Sequence, residues 1–283
     1  MLGTASRPKI SICIPHWQVK SLASICLRSI RRHSRTDDIE LIVVDNGSRD
    51  ESLSWLRSLD WIRLIERPEE SPANWPLNVF TAWDHGLREA RGEFFVTMHT
   101  DVFVKRDGWL TPFLREMETG SEVAGVGAWK LDLEHPLYAL QKQWVGGAMR
   151  ILKKSVGMKT KAALKEGQYP RDYCAMYRRE PLLRAGLTFR PIHGQGGGYS
   201  IAQQIWNSGF QTRMVPVPEL ADLIVHVAHG TAAIAAEKPL NHRQAQRKVE
   251  RKVARLFNEP WVRELRDNDA LDASDHEPLR VAG

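Results

Sequence analysis

The amino-acid sequence predicts a doubly wound α/β domain. Short β-rich runs alternate with segments of helical periodicity over the first 130 residues, the order that builds such a sheet. One of those runs, ELIVV, is nearly all apolar, as parallel strands covered on both faces are. The chain is also large enough: 283 residues, 42% hydrophobic and 26% charged, can bury one large core or two modest ones.

Taken in order, Lys9–Ile14 (KISICI) is the first strand, expected to stop at Pro15, and Glu40–Val44 (ELIVV) is the second. Between them Leu22, Ala23, Cys26 and Ile30 recur at helical spacing. Ser48 and Glu51 form a capping-box pattern ahead of a short helix through Leu53, Leu56 and Leu59. Ile62–Ile65 is a third strand and Glu93–Met98 a fourth. A helical stripe precedes the fourth (Leu77, Phe80, Asp84, Leu87) and another follows it (Trp109, Leu110, Phe113, Leu114, Met117).

The second half is less regular. Val123–Trp129 reads as a strand and Lys130–Gln168 as a long connection, of the kind that usually carries function. Cys174–Tyr177, Met214–Val217 and Leu223–Val227 read as strands, and Pro181–Ala185 and Tyr199–Ser208 as helices. From Pro239 a basic amphipathic helix runs to Phe257, and the last dozen residues form a polar tail expected to fray.

The net charge of +6 suits anionic ligands: nucleotides, phosphates, nucleic acid or an anionic membrane surface. Its excess collects at Lys153–Lys165 and Arg247–Arg255, where a solvated face is the plainer explanation. Three cysteines, Cys13, Cys26 and Cys174, have no metal-ligand spacing and support neither a disulfide framework nor a zinc ribbon. No signal-peptide core and no run of 18 apolar residues is present, so a soluble, cytoplasmic protein is expected.

Ligands of open α/β sheets bind beyond the carboxyl ends of the strands. Three polar groups follow apolar runs there: Pro15-His16-Trp17, Asp45-Asn46-Gly47-Ser48 and His99-Thr100-Asp101. One such Asp is as readily a turn former, but three coincident strand ends point to a shared site. Neither GxGxxG after the first strand nor GxxxxGK[ST] occurs, which disfavours a Rossmann dehydrogenase and a P-loop NTPase. Gly194–Gly198 is Gly-rich, but no strand feeds it; a hinge and a phosphate contact fit it equally.

The runs ISICIPHW, ELIVVDNGSRDES and HGLREARGEFFVTMHTD resemble the nucleotide-sugar half of the family 2 glycosyltransferases of GT-A fold. Those typically read VSVVIPTYN, EIIVVDDGSTD and NxGxxxAxGEYxxxLDxD. CAMYRREPLLRAGLTF and SGFQTRMVPVPELADLIVHVAHGT resemble the later acceptor-side and closing segments, so five motifs follow in the expected order over residues 8 to 231. The resemblance implies a Rossmann-like mixed sheet in a domain over 1–235 with a helical extension over 236–283. Residues 8–130 would hold the nucleotide sugar and 131–235 would face the acceptor.

By that resemblance, Pro15, His16 and Trp17 line the base and ribose pocket, and Asp45 and Asn46 hydrogen-bond the base. Asp101 is the last carboxylate of the DxD motif and binds the metal, Mn²⁺ or Mg²⁺, with His226 as a further ligand and His229 as a second candidate. Asp84, His99 and Thr100 fall in nucleotide-sugar positions. The donor would be UDP-, dTDP- or GDP-linked, and the acceptor a glycan, a lipid-linked molecule or a small molecule.

Three positions depart from the pattern. His99 replaces the first Asp of DxD, Asp84 replaces the usual Asn, and Gly197-Gly198 stand where the Glu-Asp pair carrying the general base is usual. Asp172 and His193 are the nearest replacements for that base. Transfer with retention, and a non-catalytic protein that keeps the nucleotide-sugar pocket, stay open beside this reading. Nucleic-acid binding rests on the basic segments alone, and the Gly-rich loop expected just after the first strand of a sugar-nucleotide pyrophosphorylase is absent from the sequence. The basic helix adds the option of peripheral contact with the inner face of the membrane.

Overall fold

The computed structural model describes residues 9–34, 38–131, 169–235 and 243–273. Four strands, β1 (Ile10–His16), β2 (Ile39–Asp45), β3 (Arg63–Glu66) and β4 (Phe94–Met98), run parallel. With β6 (Val123–Gly127), β7 (Cys174–Arg178) and β8 (Gln211–Met214) they form a seven-stranded sheet in the order β3-β2-β1-β4-β7-β6-β8. β7 is antiparallel to both its neighbours, so the sheet is mixed.

The apolar runs are explained by two cores, one on each face. Ile12, Val43 and Val96 pack with α1 (Lys20–Arg32) and α4 (Thr111–Met117). Ile42, Val44 and Phe95 face α3 (Leu77–Glu89), α5 (Arg179–Arg184) and α6 (Gly198–Asn207) on the other side. Neighbouring residues of one strand point to opposite faces, and here both faces are dry.

Several expectations change. β1 continues through Pro15 to His16. The His16 carbonyl accepts from Asn46 N at 2.8 Å, so the Pro15 amide position faces the other side, where pairing with β4 ends at Cys13 and no ladder bond is lost. Helix α2 (Glu51–Arg57) is capped by Asp50, which accepts from Ser52 N, whereas the Ser48 hydroxyl accepts from Gln18 N at 2.7 Å. Met214–Val217 is not a strand: β8 ends at Met214, and Pro216 and Pro218 open α7 (Val217–Leu223), where proline fits the first turn. β9 (Ile224–His226) pairs outside the main sheet, antiparallel to β5 (Val102–Val104), a strand the hydrophobic pattern did not reveal.

After α8 (Gly230–Ile234), helices α9 (Arg243–Phe257) and α10 (Pro260–Asp267) bring Val253, Leu256, Val262 and Leu265 into the first core. Leu271 joins them. Asp272, placed by the pattern in a frayed tail, is instead held: its carboxylate accepts from Arg28 at 2.8 and 2.7 Å and from Trp55 Nε1 at 2.9 Å. Buried groups on α1 and α2 thus find their polar partner there. The Lys130–Gln168 connection beyond Leu131, with its lysine run, and residues 274–283 lie outside the described residues. No helix among those described is long and apolar enough to cross a membrane.

Candidate functional site

The parallel ladder of β2, β1 and β4 brings their carboxyl ends to one edge. His16 lies directly opposite Asp45 in the register, and β4 ends at Met98, one residue before His99. Just beyond, Val102 pairs with His226 across the small β5–β9 sheet. This long-range pairing carries Asp101 to His226.

Asp101 is 4% exposed and held from two sides. Its Oδ2 accepts from Gly230 N at 2.9 Å, and its backbone carbonyl accepts from Val227 N at 2.9 Å. Oδ1 lies 3.5 Å from His226 Nε2 and 3.8 Å from His99 Nδ1, and among the described residues no hydrogen bond satisfies it. Thr100 Oγ1 meets Thr231 Oγ1 at 3.2 Å, closing the same turn.

Each imidazole rests on an aromatic ring. His99 stacks on Trp83 with centroids 5.4 Å apart, and His226 stacks on Tyr173 at 4.4 Å. His99 Nε2 is buried, and none of the described residues hydrogen-bonds it. One ligand atom from each of His99, Asp101 and His226 lies within 4.8 Å of the others. Ligands about 2.1 Å from a cation stand roughly 3 to 4 Å apart, so these residues fit a divalent ion with little movement. A buried carboxylate oxygen without a donor, facing two imidazoles, is the observation that carries this fit.

Electrostatics agree. Burial raises the Asp101 carboxyl, but His226, His99 and the Gly230 N–H outweigh it and hold it below the usual carboxylate value. Burial lowers the His99 imidazole against the pull of Asp101 and Asp172, favouring the neutral form that binds metal. Burial also raises Cys13, Cys26 and Cys174, which leaves their thiols protonated and without a role at this edge.

The strand-end groups behave differently from the His99–Asp101–His226 cluster. His16, Asp45 and Asn46 are each 1% exposed and support the edge from beneath. His16 Nε2 meets Ser52 Oγ at 2.8 Å, and Ser52 Oγ in turn donates to Asp50. Asp45 Oδ2 accepts from Ser48 N at 3.0 Å, and Asn46 Oδ1 accepts from Arg67 at 2.9 Å. Between them Gly47 has φ +76°, and a Cβ there would lie 2.6 Å from the Glu70 carbonyl oxygen, so glycine is required. Beyond Pro15 and His16, Trp17 remains partly exposed, and Gln18 and Val19 adopt left-handed φ of 52° and 59°. The Val19 amide is held by Asp50 Oδ2 at 3.0 Å.

His16 makes this network acid-sensitive. Burial lowers its pKa from 6.5 to about 4, although Asp45 and Asp50 pull it upward. The unfolded chain therefore takes up a proton that the folded chain refuses. Stability contributed by neutral His16 is complete above 6.5 and declines as pH falls towards 4. Between pH 7 and 5 the wild type should lose about 2 kcal/mol more than a His16→Gln protein in urea unfolding. Parallel losses in the two proteins would refute this assignment.

Asp84 accepts from Phe189 N at 2.8 Å and from the Thr188 hydroxyl, and lies 3.4 Å from Arg190 Nε. It pins the 188–190 turn to α3. His229 is left-handed, with φ 69°, at the start of α8 and is not among the converging ligands; His99 takes that place. His193 sits on an exposed turn closed between Ile192 and Gln195, and among the described residues no contact links it to the triad. Asp172 does reach this edge, because His99 N donates to the Tyr173 carbonyl at 3.0 Å. Trp83 and Tyr173, which the motifs did not single out, form the two walls. Their only sequence signal was an aromatic residue beside Asp84 and another just before a strand.

Residues 11–185, more than half of the chain, match the model for glycosyl transferase family 2. The chain belongs to that family. It is a glycosyltransferase, and its mixed sheet is of the GT-A type. Solved structures agree in fold. A mannosyltransferase, PcManGT from Pyrobaculum calidifontis in complex with GDP-Man and Mn²⁺, is 17% identical with a TM-score of 0.52, over 92% of this chain and 73% of its own. TarS of S. aureus, residues 1–349, is 11% identical with a TM-score of 0.51, over 90% of this chain and 74% of its own.

Proposed function

We propose that this glycosyltransferase is metal-dependent and moves a sugar from a UDP-, GDP- or dTDP-linked donor to a hydroxyl of a glycan, lipid-linked or small-molecule acceptor. The meeting of His99, Asp101 and His226 beside the strand ends of His16 and Asp45 carries this reading. A divalent ion held there supplies positive charge to the departing diphosphate. Two imidazoles with one carboxylate favour Mn²⁺ over Mg²⁺. The mannosyltransferase of similar fold, solved with GDP-Man and Mn²⁺, supports both the donor class and the metal.

In this reading Trp17 offers a ring face to the base, while His16, Asp45 and Asn46 hold its pocket in shape. Residues up to 235 form the catalytic domain, and 236–283 extend it. Val253 and Leu256 of α9 are buried in the core, and Arg247, Arg251 and Arg255 remain exposed. Contact with an anionic acceptor, or with the cytoplasmic face of a membrane, is then made through charge alone. Calorimetric titration of UDP, GDP and dTDP, each with and without Mn²⁺, tests the reading. One nucleotide should bind, and only with metal; binding by none of the three would overturn it.

A further inference from the structure

We propose that Asp172 is the base that deprotonates the acceptor hydroxyl and that the acceptor is a sugar. The proposal rests on the donor site described above and adds the acceptor side to it.

Transfer to a hydroxyl needs a proton acceptor at the same edge as the leaving group. The other described carboxylates there are buried and hold backbone amides. Asp45 caps Ser48, Asp84 pins Phe189, and Asp101 faces the two imidazoles while holding Gly230. Asp172 is half-buried, and among the described residues neither a hydrogen-bond donor nor a cation meets its carboxylate. It stands one residue before Tyr173, whose carbonyl accepts from His99 N and whose ring covers His226. Its charge is felt at His99.

The Gly-rich turn is shaped around this carboxylate. A Cβ on Gly197, which has φ +62°, would collide with Asp172 Oδ2 and lie 2.9 Å from Phe80 Cε1. A Cβ on Gly198 would strike the Pro170 carbonyl and come within 3.0 Å of Asp172 N. The 170–172 segment therefore fills the space in which side chains at 197 and 198 would lie. The two glycines and Asp172 form one arrangement: the turn gives up its side chains, and the neighbouring segment supplies a carboxylate in their place.

Beside it runs an aromatic wall. Trp129 and Tyr169 meet edge-on at 5.2 Å, Tyr169 and Tyr199 at 5.6 Å, and the Arg171 guanidinium lies 5.5 Å over Trp129. Rings with a polar tip and a guanidinium alongside suit a sugar, whose faces are apolar and whose rim is hydroxylated. In the reaction, the acceptor O–H proton passes to an Asp172 oxygen as oxygen bonds to the anomeric carbon. The bond from that carbon to the diphosphate oxygen breaks and leaves its electron pair on the phosphate. Attack from the side opposite the leaving group inverts that carbon.

The test compares wild type, Asp172→Asn and Asp172→Ala, with Mn²⁺ and the donors UDP-glucose, GDP-mannose and dTDP-glucose. Water and methyl glycosides serve as acceptors, and release of nucleoside diphosphate is followed. Asp172→Asn should lower kcat on the order of 10²- to 10⁴-fold with nucleotide affinity unchanged. Added formate should restore part of the Asp172→Ala rate, which a merely structural role would not allow. The product anomer, read by NMR, should be inverted. Wild-type kcat in Asp172→Asn, or a product of retained configuration, overturns the proposal. A wild type that binds no nucleotide and cleaves no donor instead removes the donor-site reading beneath it.

Discussion

Asp101→Ala should abolish metal-dependent nucleotide binding. Among the described residues the carboxylate is the only anion lying between His99 and His226, and none of them gives its Oδ1 a competing hydrogen bond. Removing it leaves two imidazoles to hold a divalent cation at a site that must also accept a diphosphate. Loss of supporting groups around metal ligands already costs 10- to 100-fold in affinity, so loss of the ligand itself should cost on the order of 100-fold or more. Asp101 also holds Gly230 N, so the alanine protein would loosen the turn as well as remove the charge. Asp101→Asn separates the two effects, because its amide oxygen can still accept from Gly230 while the negative charge is gone. Calorimetry should find both proteins deficient with Mn²⁺, and circular dichroism should find both folded. An Asn protein that binds the nucleotide–Mn²⁺ pair as the wild type does would exclude Asp101 as a metal ligand.

The second large effect is expected at Trp83. Its side chain is fully buried on α3, and its ring lies 5.6 Å from Phe189 and 6.2 Å from Phe80 as well as against His99. Trp83→Ala should cost about 3–5 kcal/mol of stability, the usual range when a buried indole is truncated to leave a cavity. It should also weaken Mn²⁺-dependent nucleotide binding, because the plane that fixes the His99 ring disappears. Trp83→Phe keeps a ring in place and should recover most of both losses. Urea unfolding measures the first effect and calorimetry the second. Unchanged Mn²⁺-dependent binding in a folded Trp83→Ala protein would show that the stacking does not position His99.

How much of this was legible in advance differs between the halves of the chain. ISICI, ELIVV and EFFVTM are apolar at nearly every residue rather than at alternate ones, the pattern of strands covered on both faces, so the parallel core could be read directly. Their polar successors had to emerge at one edge, and His16, Asp45 and His99 do. Beyond β4 the signal weakens for physical reasons. Gln211–Met214 is half-exposed and short, and Val102–Val104 has three residues, too few to display a period. The apolar residues of Met214–Val217 suggest a strand, but Pro216 and Pro218 start a helix there.

By itself the sequence determined the strand–helix alternation, the polar residues at the ends of the first strands, and membership of a glycosyltransferase family, because each is written in residues adjacent along the chain. Which side chains face one another was decided only by the tertiary structure. The β5–β9 pairing brings His226 to Asp101, and the β4–β7 pairing brings Tyr173 and Asp172 to His99. It likewise withdraws His16 and Asn46 from the surface and leaves His229 outside the triad. The reason lies in length scale. Alternation and capping are properties of a few neighbouring residues, whereas this cluster is a coincidence of segments more than 100 residues apart, set by backbone pairing and by the packing of both cores.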